Sequence, residues 1–316
     1  MMNKIPFHRP MELPEDERDS IISKIEDCLD TGMLTNNKNV RELEEKIKEL
    51  HNTEYAIATS SCSQGLVITL QSLIKTDMRV SYRAHLQAFT WFSTLYAIQT
   101  CNRTPTYCDI DSDTWNIKQE YKYKLAVPTH TFGNVSKIES KFKVYDAAHA
   151  LGTKLEDIGN ATVLSLAPTK LITSIEGGII LTNDSKLAKY ATELRDKVSR
   201  LSEIHAIFGN TYLNHIEEVI AWKKEVYDYY RKHLDGIFQK TADSTNHNTI
   251  CMLTSLKIPE HIEIRKYYQP IQHSKDLPNT EAIYKSIICL PSWYNCPYKQ
   301  IVDDINNFNK NEEKTQ

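Results

Sequence analysis

The chain has 316 residues, 41% of them hydrophobic and 25% charged, with a formal net charge of -3. This is a globular composition, long enough for one large core and a smaller second unit. With no long run of one sign, it excludes a nucleic-acid or membrane-surface footprint, while a local site for an anionic substrate stays open.

The first helical pattern covers residues 14–30, with Ile21, Ile22, Ile25 and Leu29 on one face and Gly32 as its stop. A second runs over 40–50. A short β-type run at 55–59 leads into small residues, and then into a helix with Leu66, Val67, Leu70 and Leu73 inward. Further strands are expected at 80–82, 104–108, 125–128, 144–145, 162–164 and 178–181, separated by helical or irregular segments. Short strands alternating with helices predict an α/β fold with a mostly parallel central sheet between helices. Ligands bind such sheets beyond the carboxyl ends of the strands. From about Ser202 one long helical stretch is expected to reach Leu234, and a smaller C-terminal α+β domain follows. The division expected is a large domain over 1–205 and a small one over 206–316. The closing NNFNKNEEKTQ is polar and reads as frayed.

The seven cysteines are scattered and contain no CxxC, which speaks against a disulfide framework and a zinc site and fits a reducing cytoplasm. No metal site is expected. The N-terminal residues lack the apolar core of a signal peptide, and no stretch approaches the length of a membrane span.

Four features follow strand candidates. The run Ser60-Ser61-Cys62-Ser63-Gln64-Gly65 offers backbone N–H groups at the positive end of a helix, suited to a phosphate; it also reads as an ordinary cap. Trp91, in AFTWFST, offers a flat aromatic face or a core residue. Asp146, in VYDAAHALG, ends a strand and either meets a cationic ligand or caps the next segment. Lys170, in SLAPTKLITSIEGG, is flanked by small and apolar residues, and desolvation there would lower its pKa and free its amine. A Schiff-base lysine, an acid for a pyridine nitrogen, a phosphate cup and a stacking ring are together what pyridoxal phosphate requires.

In that order along the chain, these segments resemble the DegT/DnrJ/EryC1/StrS family of sugar aminotransferases. The resemblance runs from Ile5 to about Asn307. It includes IPFHRP, DTGMLTNN at 30–37, AFTWFST at 88–94, DIDSDTWNI at 109–117, VPTHTFGN at 127–134, DAAHALG at 146–152, SLAPTK at 165–170 and EGGIILTND at 176–184. It implies the fold type I architecture of pyridoxal-phosphate-dependent transferases. It also implies roles: Lys170 carries pyridoxal 5′-phosphate and shuttles a proton, Asp146 pairs with the ring nitrogen, and Trp91 stacks on the ring. Cys62, Ser63 and Ser165 would donate to the phosphate, and His149 would stand near the ring's phenolic oxygen. Thr35, Arg265 and Tyr267 are the candidates for substrate contact, or else surface and interface residues.

The implied reaction moves an amino group from glutamate or glutamine to a nucleotide-linked keto-deoxy sugar, at C4 of a dTDP-4-keto-6-deoxyhexose. The alternatives are amination at C3, or a non-catalytic relative acting as regulator or partner subunit. Lys170 argues against the family's dehydratase branch, which has histidine there. A homodimer with the active site at the interface is implied as well.

Four positions depart from the family pattern. Ser61-Cys62-Ser63 stands for Ser-Gly-Thr, Ala167 stands for a histidine, and Val198 stands where an asparagine would reach the partner's phosphate. Valine cannot donate that hydrogen bond, a loss of about 1–3 kcal/mol of cofactor affinity.

Overall fold

The computed structural model describes residues 4–120 and 122–315. Two helices open the chain, α1 (Glu15–Thr31) and α2 (Lys38–His51). They are followed by β1 (Tyr55–Thr59), α3 (Cys62–Thr76), β2 (Arg83–Gln87), α4 (Phe92–Thr100), β3 (Thr104–Cys108), β4 (Tyr123–Ala126), β5 (Ser140–Ala147), β6 (Ala161–Ser165) and β7 (Gly178–Thr182). The seven strands form one sheet in the order β1-β7-β6-β5-β4-β2-β3. From β6 across to β3 every pairing is parallel, and β7 is antiparallel to both its neighbours. Two reversals cancel, so β1 runs in the same direction as β6. The carboxyl ends of β1, β2, β4, β5 and β6 therefore open on one side of the sheet.

Both faces of this sheet are covered, and the strand period of two sorts its residues between them. Val163 and Ile180 join one apolar cluster with Leu66, Leu70 and Leu73 of α3. Their neighbours Leu164, Ile179 and Leu181 join another with Val40, Leu43 and Ile47 of α2. Helix α3 is buried along nearly its whole length, because it lies between the sheet and α4 and α5 (Ser185–Val198). Gly65 permits that approach, since a Cβ there would meet the Val163 side chain at 2.8 Å.

The chain goes on with α6 (Glu203–Leu213) and α7 (Ile216–His233). It continues through β8 (Ile237–Phe238), β9 (Ile250–Leu253), α8 (Pro278–Ser286), β10 (Ile287–Leu290) and α9 (Tyr298–Thr315). Strands β10, β9 and β8 make a three-stranded antiparallel sheet. Val226 and Tyr230 of α7 and Ile301, Val302 and Ile305 of α9 share an apolar cluster with Ile250, Met252 and Leu290 of that sheet.

Several expectations need correction. The strand expected at 80–82 lies at Arg83–Gln87, because the buried polar residues that mask it are satisfied. Gln87 donates to Phe89 O and Thr131 Oγ1, both at 2.9 Å, and His85 Nδ1 lies 3.2 Å from Leu125 O. The single long helix is two helices, interrupted at Asn214 and His215, where the His215 ring meets Glu17 at 2.9 Å. On α1 only Ile21 of the four predicted inward residues is fully buried, with Cys28 about two turns further along the same face. Ile22 and Leu29 point outward, because each stands one residue, about 100°, round the helix from that buried stripe. The tail is helical through Thr315 rather than frayed, and Asn309 fastens it by two hydrogen bonds to the backbone of Lys257.

Candidate active site

At the carboxyl end of the sheet lies a cavity of 390 Å³. Several strand ends line it, and four of them contribute different chemical groups.

Strand β1 delivers the start of α3. Ser61 caps the helix by accepting from Gln64 N at 3.2 Å, while the Ser63 hydroxyl meets that of Ser93 at 2.7 Å. Among the described residues no acceptor meets the N–H groups of Cys62 or Ser63, which remain available at the positive end of the helix. Gly178, which opens β7, makes this position possible. A Cβ on Gly178 would lie 2.5 Å from Cys62 N.

Strand β5 delivers Asp146, buried at 2% exposure. Its Oδ2 accepts from the Thr94 hydroxyl at 2.5 Å, and its Oδ1 from Ala148 N at 3.2 Å. It has no ion pair among the described residues. Burial raises its pKa, and the Thr94 and Ala148 bonds and the Lys170 charge oppose the rise. A fixed, buried carboxylate without a cation suits a cationic group entering the cavity.

Strand β6 ends at Ser165, and its chain returns to β7 through a loop closed by Leu166 N to Gly177 O and Ser174 N to Leu166 O, both 2.9 Å. Lys170 rides on that loop and projects into the cavity. Among the described residues its amine makes no hydrogen bond or ion pair. Burial lowers its pKa to about 8 against the opposing pull of Cys62, Asp146 and Glu176.

Strand β2 delivers Trp91, the residue before α4. It is 56% exposed, so it is not core packing, and its ring meets Tyr267 edge-on at 6.1 Å. His149 follows β5, stacked near Phe132 with Tyr268 Oη 3.4 Å from its Nδ1. Burial, then the charges of Lys170 and Lys223, keep that ring neutral.

Cys62, Ser63, Trp91, Asp146, His149, Ser165 and Lys170 thus share one cavity, and Arg265 and Tyr267 complete its wall from the C-terminal part. Thr35 does not line it; it bridges to Ser202 instead. Val198 ends α5 and is exposed. Sequence reading missed Thr94, Ser93 and Tyr268. Thr94 stands three residues after Trp91, one helical turn along α4, and that spacing was the available signal.

The sequence pattern of the DegT/DnrJ/EryC1/StrS aminotransferase family matches residues 15–306. The chain belongs to this family. GDP-perosamine synthase of Escherichia coli O157:H7 is 24% identical over 280 residues, covering 77% of this chain and 75% of that protein. Among solved structures, DesI, crystallised with its TDP-sugar product, superposes with a TM-score of 0.83 at 22% identity, over 98% of this chain and 93% of that one. PseC of Helicobacter pylori, an aminotransferase involved in the biosynthesis of pseudoaminic acid, gives 0.83 at 17% identity, over 98% and 100%. The fold is that of the type I pyridoxal-phosphate-dependent transferases. The protein is a sugar aminotransferase and its cofactor is pyridoxal 5′-phosphate. The cavity fits that group, with an unpartnered amine, a buried carboxylate lacking a cation, and open N–H donors at a helix start.

Proposed function

We propose that this enzyme transfers the amino group of glutamate or glutamine to C4 of a dTDP-linked 4-keto-6-deoxyhexose. The observation that carries the reading is the enclosure of the Lys170 amine and the Asp146 carboxylate in one cavity with the open start of α3.

When bound, pyridoxal phosphate supplies an aldehyde that captures amines and a ring that draws electrons from the carbon being deprotonated. The chain's own residues do the rest. Lys170 would attach the cofactor. With its pKa near 8, about a tenth of the amine is neutral at pH 7, some hundreds of times the share of an ordinary lysine. That neutral nitrogen can attack a carbonyl and later accept and return the substrate's proton. Asp146, held by Thr94 and Ala148, would keep the ring nitrogen protonated. Trp91 would stack on the ring, Cys62, Ser63 and Ser165 would hold the phosphate, and neutral His149 would stand by the phenolic oxygen. Arg265 and Tyr267 contact the substrate from the rim.

The names of the relatives favour a nucleotide-linked sugar and differ in the nucleotide, GDP in one and TDP in another. The large unit is read as 1–205 and the small one as 206–316. We read the protein as a cytoplasmic homodimer with the cavity at its two-fold interface, supported by the exposed Trp91, Phe92 and Tyr96 in the single protomer. Among the described residues no helix is long and apolar enough to cross a membrane.

The test is direct. Purified protein is mixed with ¹⁵N-glutamate or amide-¹⁵N-glutamine and either a dTDP- or a GDP-linked 4-keto-6-deoxy sugar. Label at C4 of the dTDP sugar is the expected result. Label only in the GDP sugar, or at C3, overturns the assignment of nucleotide or carbon. An unchanged visible spectrum with both donors overturns amino transfer itself.

A further inference from the structure

Strands β9 and β10 place Cys251 directly opposite Cys289. Both thiols are buried, at 4% and 0% exposure, and both are free. Their sulfurs lie 2.7 Å apart. Among the described residues no other two cysteine thiols are hydrogen-bonded to each other.

The register explains the closeness. Cys289 donates its N–H to Arg265 O at 2.7 Å and accepts at its own carbonyl from Arg265 N at 3.1 Å. The two polar groups of a strand residue point to the same side, so Cys289 has spent both on Arg265. Toward β9 it therefore faces Cys251 as a non-hydrogen-bonded antiparallel pair. Such pairs hold their Cα atoms about 4.5 Å apart and bring side chains closest. A disulfide accepts Cα separations of about 4.4–6.8 Å. Joining the two sulfurs asks for an approach of roughly 0.7 Å and no rearrangement of the strands.

We propose that Cys251 and Cys289 form a reversible cross-strand disulfide, an oxidation site behind the wall of the cavity. The oxidant is hydrogen peroxide, a small neutral molecule. One sulfur takes a hydroxyl from the peroxide as the O–O bond breaks, and its thiol proton leaves with the other oxygen as water. The second sulfur then displaces that hydroxyl, forming the S–S bond and releasing a second water. Two thiols are oxidised and one peroxide is reduced to two waters.

The consequence lies in what the pair supports. Arg265 hangs on Cys289 by both backbone bonds. Tyr268 and Phe7, which line the cavity, pack in the same apolar cluster as both cysteines. The cross-link ties together the two strands beneath that wall, and it needs neither substrate nor the amino-transfer reading.

To test it, the holoenzyme is treated with rising peroxide until any cysteine reacts, then denatured in iodoacetamide and digested without reductant. The expected product is a peptide pair joined at Cys251 and Cys289, lighter than the reduced pair by two hydrogens and released by dithiothreitol. Cys289→Ser and Cys251→Ser should each abolish it. The oxidised wild type should also unfold at higher urea than the reduced protein, because the link closes a loop in the unfolded chain. Recovery of both cysteines as separate alkylated peptides, while others are oxidised, overturns the proposal. So does a mixture in which other cysteine pairs are linked equally well. The wild-type peptide map decides the matter even where a serine variant fails to fold.

Discussion

Replacing Lys170 with methionine should make the cofactor-free protein more stable. The amine that the proposed reaction uses is a burden on the fold. Its pKa falls from 10.5 to about 8 because burial disfavours the cation. A fall of that size corresponds to roughly 3 kcal/mol, and the amine's opening onto the cavity lets solvent screen it to about 1.5–3 kcal/mol. No hydrogen bond is lost, since the amine makes none among the described residues, and methionine keeps the length and apolar stem. The sign follows from proton binding. Below about pH 8 the folded and unfolded chains both carry the proton, and the whole penalty is present. Between about 8 and 10.5 the unfolded chain binds more protons, so wild-type stability rises with pH. Above that window both forms are neutral and the penalty is gone. The gain of Lys170→Met should thus be largest at neutral pH and close to zero near pH 10.5. Urea unfolding of both cofactor-free proteins across that range measures it. A variant no more stable at pH 7, or one whose advantage stays constant with pH, would refute the argument that desolvation of a charge tunes this amine.

Two further outcomes follow from the geometry. Thr94→Val removes the 2.5 Å bond to Asp146 without changing shape; turnover should fall by roughly 10–100-fold, as a lost bond of about 1.5–3 kcal/mol implies. The acid limb of the kcat/KM profile should also move to higher pH, because the carboxyl then holds its proton more tightly; an unmoved limb would separate Thr94 from Asp146. Trp91→Ala should leave thermal stability within about 0.5 kcal/mol, since the indole is mostly exposed. Absorbance titration should nevertheless show cofactor binding weakened by about tenfold. A large loss of stability with unchanged cofactor affinity would make Trp91 a packing residue.

The site was legible where each group is announced by its own neighbours. Lys170 stands among small and apolar residues after a strand, and the serine run stands between a strand and a helix. Residues that act through another were harder to see. Thr94 matters only because Asp146 lies 52 positions away in the chain and 2.5 Å away in space. Tyr268 matters because the C-terminal part folds back over His149. Strand β2 escaped a hydrophobic reading because Arg83, His85 and Gln87 alternate with its apolar residues, and only the neighbouring strands show that the last two are buried and bonded.

Periodicity, caps and turn residues are properties of adjacent positions. The amino-acid sequence alone therefore determined the strand–helix alternation, the burial of Leu66, Leu70 and Leu73 on α3, and the stop at Gly32. It also placed an amine, a carboxylate and a serine run directly after strand candidates. The tertiary structure decided which distant groups meet. Strand order brings Thr94 to Asp146, register sets Cys251 against Cys289, and the break before α7 turns one apolar stripe into two helices. Those outcomes depend on which pairing buries the most surface across the whole chain, and no short window of residues contains that comparison.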